Sequence, residues 1–253
     1  MPTVSDSTKA TVIGAAPEGA SDPASAALAV REMFSSIAPR YDLLNHLLSF
    51  NVDRLWWRKT ARSFASILKR QDARVLDLCC GTGDMTFALF REAGGSAKVL
   101  GVDFSHAMLQ RANEKSAEKS LHWVEADALQ LPFPDQQFDL ITAAFGFRNL
   151  ADYDAGLREM VRMLRPGGEC GILDFGEPRG LIGKLYRVYF KRILPAVGTV
   201  VSGVKGPYVY LPASVERFPS PEEMQGRMRR AGFREASWTP YTFGIAGLYR
   251  GKK

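Results

Sequence analysis

The apolar positions of the chain change rhythm along its length. Residues 1–27 are rich in Ala, Ser, Gly, Pro and Thr and show no apolar period, so they read as a disordered tail that cannot offset the entropy of ordering. From Val30 the spacing becomes helical, with Met33, Phe34 and Ile37, then Leu43, Leu44, Leu47 and Leu48, then Leu55 and Trp56. Breaks fall at Pro39 and near Asn51, and the segment 28–72 is expected to form a helical cap.

From Ala73 short apolar runs alternate with helical stretches, as a parallel sheet with crossover helices requires. Strands are expected at Arg74–Leu78, Lys98–Asp103, His122–Glu125, Phe138–Ala143 and Glu169–Asp174. Helices are expected from Asp84 to Ala93, after the cap Ser105, and along the face Tyr153, Leu157, Met160, Val161 and Leu164. Arg165-Pro166-Gly167-Gly168 stops the last of these. Between residues 176 and 218 the alternation lapses into an aromatic, basic stretch, read as an inserted lid. Ser220-Pro221-Glu222-Glu223 then starts a helix that Gly232 ends, and two final runs, Ala236–Pro240 and Phe243–Arg250, are close enough to pair antiparallel. The fold class is therefore α/β: a seven-stranded mixed Rossmann-like sheet with helices on both faces, occupying 73–253.

Composition narrows the picture further. A length of 253 residues with 46% hydrophobic content suits one catalytic domain with decorations. Lys and Arg number 33 against 27 Asp and Glu; the resulting +6 is scattered, which permits an anionic partner surface without a nucleic-acid patch. The three cysteines, Cys79, Cys80 and Cys170, form neither a metal-ligand spacing nor a disulfide framework, which fits a reducing cytoplasm and no metal. No run approaches the roughly 18 apolar residues of a membrane span, and no signal-peptide pattern opens the chain.

Candidate chemistry gathers at the strand ends. The turn Asp77-Leu78-Cys79-Cys80-Gly81-Thr82-Gly83-Asp84 leaves a strand and opens a helix, where Gly81 and Gly83 are expected to admit a ligand close to the backbone. A dinucleotide fingerprint is absent: Thr86 stands where a third glycine belongs, and Asp84 places a carboxylate where a pyrophosphate wants bare amides. Asp103 ends the second strand where a carboxylate accepts from a ribose diol, and Asp127 and Ala128 follow the third, suited to an adenine amino group and a ring nitrogen. A sugar without a diphosphate beside several carboxylates points to a cationic nucleoside, S-adenosylmethionine. Each element also has a plain reading: turn chemistry for the glycines, a helix cap for Asp103, a solvated loop for Asp127.

From Val30 to Gly251 the sequence resembles the ubiquinone/menaquinone biosynthesis C-methyltransferases. The resemblance is carried by Phe34-Ser35-Ser36-Ile37-Ala38-Pro39-Arg40-Tyr41-Asp42, Leu76 to Asp84, Glu125 to Phe133, Phe145-Gly146-Phe147-Arg148-Asn149 and Leu164 to Gly168. It implies cofactor contacts at Thr82, Asp103, Asp127, Ala128 and Ala144, with an alanine at the last where ubiquinone-linked members commonly carry serine. It also implies methylation of a ring carbon of a polyprenylated hydroquinone, most readily demethylmenaquinol. A 2-polyprenyl-6-methoxy-1,4-benzoquinol, another small molecule, or a non-catalytic scaffold of quinone synthesis are the alternatives.

Such chemistry needs an ionised phenol next to the reacting carbon. Arg148 and Asn149 are placed to stabilise that oxygen, and Tyr41 to close over cofactor or ring. Surface-cation and turn readings stand beside these roles for Arg148 and Asn149, and His46 reads more simply as structural. The lid places Leu181, Leu185, Tyr189 and Ile193 beside Lys184, Arg187 and Lys191 at helical spacing, which reads as peripheral contact with an anionic membrane or as plain packing. Oligomeric assembly is left open.

Overall fold

The computed structural model describes residues 14, 15, 17, 19–42, 49, 51–116, 120–176, 178, 180, 183, 186, 188, 189 and 206–253, with backbone only at 40 and 206–209. Strand β1 (Arg74–Leu78) lies between β2 and β4 in a seven-stranded sheet ordered β3-β2-β1-β4-β5-β7-β6. The others are β2 (Lys98–Asp103), β3 (His122–Glu125), β4 (Phe138–Ala144), β5 (Leu164–Phe175), β6 (Glu235–Tyr241) and β7 (Ala246–Lys252). The first five pair in parallel, and β7 enters antiparallel between β5 and β6. This is the mixed sheet that the sequence pattern predicts.

Because successive side chains on a strand point to opposite faces, each strand feeds two cores. Leu76, Leu78, Ile141 and Ile172 join Tyr153, Leu157, Met160 and Met163 on one face. Val75, Leu140 and Leu173 join Trp56, Trp57, Phe64 and Leu89 on the other. The flanking helices are α2 (Val52–Ser63), α3 (Asp84–Ala93), α4 (His106–Lys115), α5 (Tyr153–Met163) and α7 (Pro221–Ala231), with α6 (Gly206–Arg217) inside the expected lid. Ser105, Asp152 and Ser220 each accept from a backbone N–H three residues on, as helix caps do. The fifth strand begins earlier than the expected Glu169. A register shift against β4 absorbs Arg165–Gly168, with Gly167 at φ 77°, before regular pairing resumes at Glu169.

The expected tail boundary at Ala27 is corrected. Helix α1 runs from Pro23 to Ile37, started by a reciprocal capping box between Asp22 and Ser25 with proline at its first turn. Ahead of it, Ala15 is buried and its N–H donates to the Leu150 carbonyl at 2.8 Å. Apolar periodicity misses this start because the signal is a cap rather than a hydrophobic face. The positions Leu43, Leu44, His46, Leu47, Leu48, Leu181, Lys184, Leu185, Arg187, Lys191 and Ile193 lie outside the described residues.

Candidate active site

The sheet order reverses between β1 and β4, and ligands of open α/β sheets bind at the strand ends outside such a point. Here the two strand ends almost touch, since a Cβ added to Gly146 would fall 2.3 Å from Cys79 Cβ. Cys79 at φ 54° and Phe145 at φ 57° each turn left-handed as their strand ends, a conformation unfavourable for residues with a side chain. Both line a cavity of about 370 Å3 that opens over the strand ends.

One end of the cavity is the glycine turn. Gly81, at φ 53°, faces open space: an added Cβ would meet only Tyr41 Cε1, at 3.9 Å. Its N–H donates to Asp103 Oδ2 at 2.8 Å, and Ser105 N–H donates to Asp103 Oδ1 at 2.9 Å, which fixes the carboxylate beside the turn. Burial pushes the Asp103 carboxyl up to about 6, against the lowering effect of these N–H donors. Asp77, fully buried under the same turn, accepts from Thr86 Oγ1 at 2.6 Å and Thr142 Oγ1 at 2.8 Å, yet desolvation raises it to about 7. Two carboxylates disfavoured by desolvation and lining one cleft suit a cationic ligand.

Gly83 differs from Gly81 in its surroundings. Its φ of 88° starts α3, but an added Cβ would strike the Trp123 ring at 2.6 Å and Phe87 at 3.2 Å, and it does not line the cavity. The space beside its Cα is taken by the Trp123 ring of β3. Thr82 lines the cavity, with its hydroxyl donated to Asp42 of the cap and receiving a hydrogen bond from Lys115 Nζ at 3.2 Å. Asp127 and Ala128 line the cavity beyond β3; Asp127 is exposed and accepts from Leu129 N–H at 2.9 Å, while Ala128 is buried. Ala144 lines it from the end of β4.

The turn Phe147–Asn149 brings two further polar side chains to the same cavity. Arg148 lines the cavity but is only 5% exposed, and its guanidinium is not a free fork. Nη1 forms an ion pair with buried Asp174 at 2.9 Å and also donates to the Phe145 carbonyl; the group lies 5.2 Å from the Phe175 ring centroid. Burial pushes the Asp174 carboxyl up while Arg148 opposes that rise. Arg148 Nε is buried with no hydrogen-bond partner among the described residues. Asn149 Oδ1 accepts from the Tyr210 hydroxyl of α6 at 3.1 Å. Burial raises Tyr210 to about 12, so it stays a donor. Phe34, Ile37, Trp56, Phe145 and Phe175 add apolar and aromatic walls to the same space.

The structure therefore brings Tyr41, Gly81, Thr82, Asp103, Asp127, Ala128, Ala144, Arg148 and Asn149 to one cavity, with Tyr41 at the glycine turn rather than beside Arg148. Sequence reading missed Asp77, Lys115, Asp174 and Tyr210. Asp77 was legible as an acid ending a buried strand before the glycines. The others act across elements distant in sequence, which no local spacing reveals. Among the described residues no cluster of His, Cys, Asp and Glu could hold a metal ion, and no helix is long and apolar enough to cross a membrane.

Solved structures share this architecture. An S-adenosylmethionine-dependent methyltransferase from Aquifex aeolicus aligns with TM-score 0.57 and 20% identity, over 77% of this chain and 88% of its own. The [4+2]-cyclase SpnF aligns with TM-score 0.65 and 18% identity, over 90% and 96%. Likeness at that identity establishes the fold alone, and the cyclase shows why a fold does not fix a reaction. The class of this protein is nevertheless defined: it is a Rossmann-like methyltransferase that takes its methyl group from S-adenosylmethionine. Its sequence goes further, for the profile of the ubiE/COQ5 methyltransferase family matches residues 22–253, and the chain belongs to that family. A demethylmenaquinone methyltransferase of Deinococcus radiodurans is 49% identical over 228 residues, 89% of this chain and 92% of that one. One of Thermus thermophilus is 49% identical over 224 residues, 87% and 100%. A ubiquinone/menaquinone biosynthesis C-methyltransferase of Geobacter sulfurreducens is 44% identical over 229 residues, 88% of each chain.

Proposed function

We propose that this enzyme methylates a ring carbon of a polyprenylated hydroquinone, with demethylmenaquinol as its substrate. The observation that carries the reading is that the Gly81–Asp103 cradle and the Arg148–Asn149 turn line one cavity together with apolar and aromatic side chains. A flat hydroquinone fits such walls, and the likeness to the demethylmenaquinone methyltransferases of Deinococcus and Thermus supports the same substrate.

The residues fit the cofactor. Gly81 leaves the backbone bare where a sugar would lie, and the Asp103 carboxylate, fixed by the Gly81 and Ser105 N–H groups, lines the same space as an acceptor. Asp127 and Ala128 would hold the base, and Ala144 offers a methyl where a hydroxyl would add a polar contact. When bound, S-adenosylmethionine supplies an electrophilic methyl group. Tyr41 closes the cavity over Gly81, which excludes water from the transfer.

At the acceptor end Arg148 and Asn149 bear on the ring oxygens. The carbon attacks only when an adjacent phenol gives up charge to the ring, so a fixed donor at the phenolate lowers the barrier. Among the described residues Arg148 Nε is a buried donor without a partner, and Asp174 fixes the guanidinium that carries it. Tyr210 donates to Asn149 Oδ1 and so turns the amide nitrogen away from itself.

The test is methyl transfer by the purified full chain to short-prenyl demethylmenaquinol and to 2-prenyl-6-methoxy-1,4-benzoquinol, read by mass. A mass gain on the naphthoquinol ring carbon is expected. Transfer to the benzoquinol alone would move the substrate to ubiquinone chemistry, and transfer to neither would overturn the reading.

A further inference from the structure

Phe243 is 76% exposed, the most exposed of the large apolar residues described, and it stands in a left-handed backbone conformation at φ 58°, ψ 19°. A bulky side chain there is both unfavourable for the backbone and unburied. The turn that carries it belongs to the rim of the cavity, since Thr242 and Ile245 on either side line that space.

Helix α2 adjoins the same turn. Trp56 Nε1 donates to Thr242 Oγ1 at 2.8 Å, and the Lys59 ammonium sits 4.1 Å from the Tyr241 ring centroid. The outward face of α2 carries Arg54, Leu55, Arg58, Lys59 and Arg62, all exposed, with Leu55 at 59%. The acid of this helix, Asp53, is buried on the opposite face. No ion pair to any of these four cations is found among the described residues. Four cations around two exposed apolar side chains, at the entrance to an apolar cavity, match a surface that is negative outside and apolar beneath.

We propose that the outer face of α2 together with the Thr242–Gly244 turn docks the enzyme on an anionic lipid bilayer, with Phe243 inserted among the acyl chains and the cations on the headgroups. The surface differs from the lid segment 184–191, on which the sequence alone places membrane contact. It rests on the hydroquinone reading for its purpose, since a prenyl tail leaves a bilayer most readily into a cavity whose rim is already in it. A soluble acidic partner would be held by the cations and would leave Phe243 strained and wet.

The test uses the full chain and sedimentation with vesicles of phosphatidylcholine, with and without phosphatidylglycerol. Binding is expected only to the anionic vesicles and should weaken with salt. The double variant Arg58→Gln/Lys59→Gln should lose about 25-fold in affinity, on the order of fivefold per cation at the surface. Phe243→Asn should lose roughly tenfold, from partial burial of a phenyl ring. Asparagine tolerates the left-handed conformation better than phenylalanine, so this variant should unfold no more easily than the parent. Methylation of a water-soluble, tail-less hydroquinone reads the chemistry separately and should be the same in the parent and both variants. Vesicle binding that both variants retain in full would overturn the docking surface. Failure of the parent to methylate the tail-less hydroquinone would count against the substrate reading and leave the vesicle result standing on its own.

Discussion

Arg148 shows how far one residue departs from its expected part. Sequence reading gives it a permanently charged fork reaching into the cleft, whereas the structure commits Nη1 to Asp174 and the Phe145 carbonyl. Removing one member of a buried pair leaves the other charged without compensation, which typically costs about 3–5 kcal/mol. Arg148→Ala should therefore lower the free energy of urea unfolding by about that much, through Asp174. Replacing both partners, as in Arg148→Met/Asp174→Leu, should restore most of the loss, while single-turnover methyl transfer stays down by on the order of 10²–10³. A double variant that transfers methyl at the parent rate would leave Arg148 a structural residue. Its burial was hidden from the sequence because Asp174 ends a different strand; the local pattern shows a cation after β4 and nothing of the carboxylate beside it.

Among the elements, α1 and the cap are joined to the sheet by a cation that no motif announces. Lys115, the last residue of α4, donates to Asp42 Oδ2 and Asp84 Oδ1, both at 2.8 Å, and so ties the cap to the first turn of α3. The three side chains are partly exposed, so screening limits each link to at most about 1 kcal/mol. Lys115→Met keeps the stem and removes the charge. Amide exchange in Pro23–Ile37 should then quicken by about fivefold, and S-adenosylmethionine should bind more weakly because Thr82 shares the network. Unchanged exchange would show that the apolar contact of Ile37 and Ala38 with Met108 holds the cap without help. The elements themselves were readable where period and caps agree, as at Ser105, Ser220 and Gly232. They were not readable where a cap alone marks the start, as at Asp22.

For the whole molecule, the buried carboxyls set how stability varies with pH. Asp77 rises to about 7 and Asp103 to about 6 on folding, both through burial. A carboxyl that binds its proton more tightly when folded contributes fully below about pH 4, and that contribution drains as pH climbs through the two raised values. Asp77→Asn removes the larger share. Against the parent without ligand, the variant should gain up to about 2–3 kcal/mol in chemical denaturation between pH 5 and pH 8. A difference equal at both pH values would mean that Asp77 does not titrate in this range. The sheet order, the switch point and most of the side chains that line the cavity over it were legible because they follow strand ends in sequence order. Positions set by contact between strands were not.

Trp123 and Gly101 sit directly opposite on β3 and β2, and a Cβ at Gly101 would lie 2.5 Å from the indole, which also crowds Gly83. A single change that adds a side chain at either glycine meets that ring, and a change that shrinks the ring leaves a void under the cofactor turn. The three positions form a locked combination: the routes by which this enzyme can drift in sequence must pass through residue 123 before residue 101 is free to move.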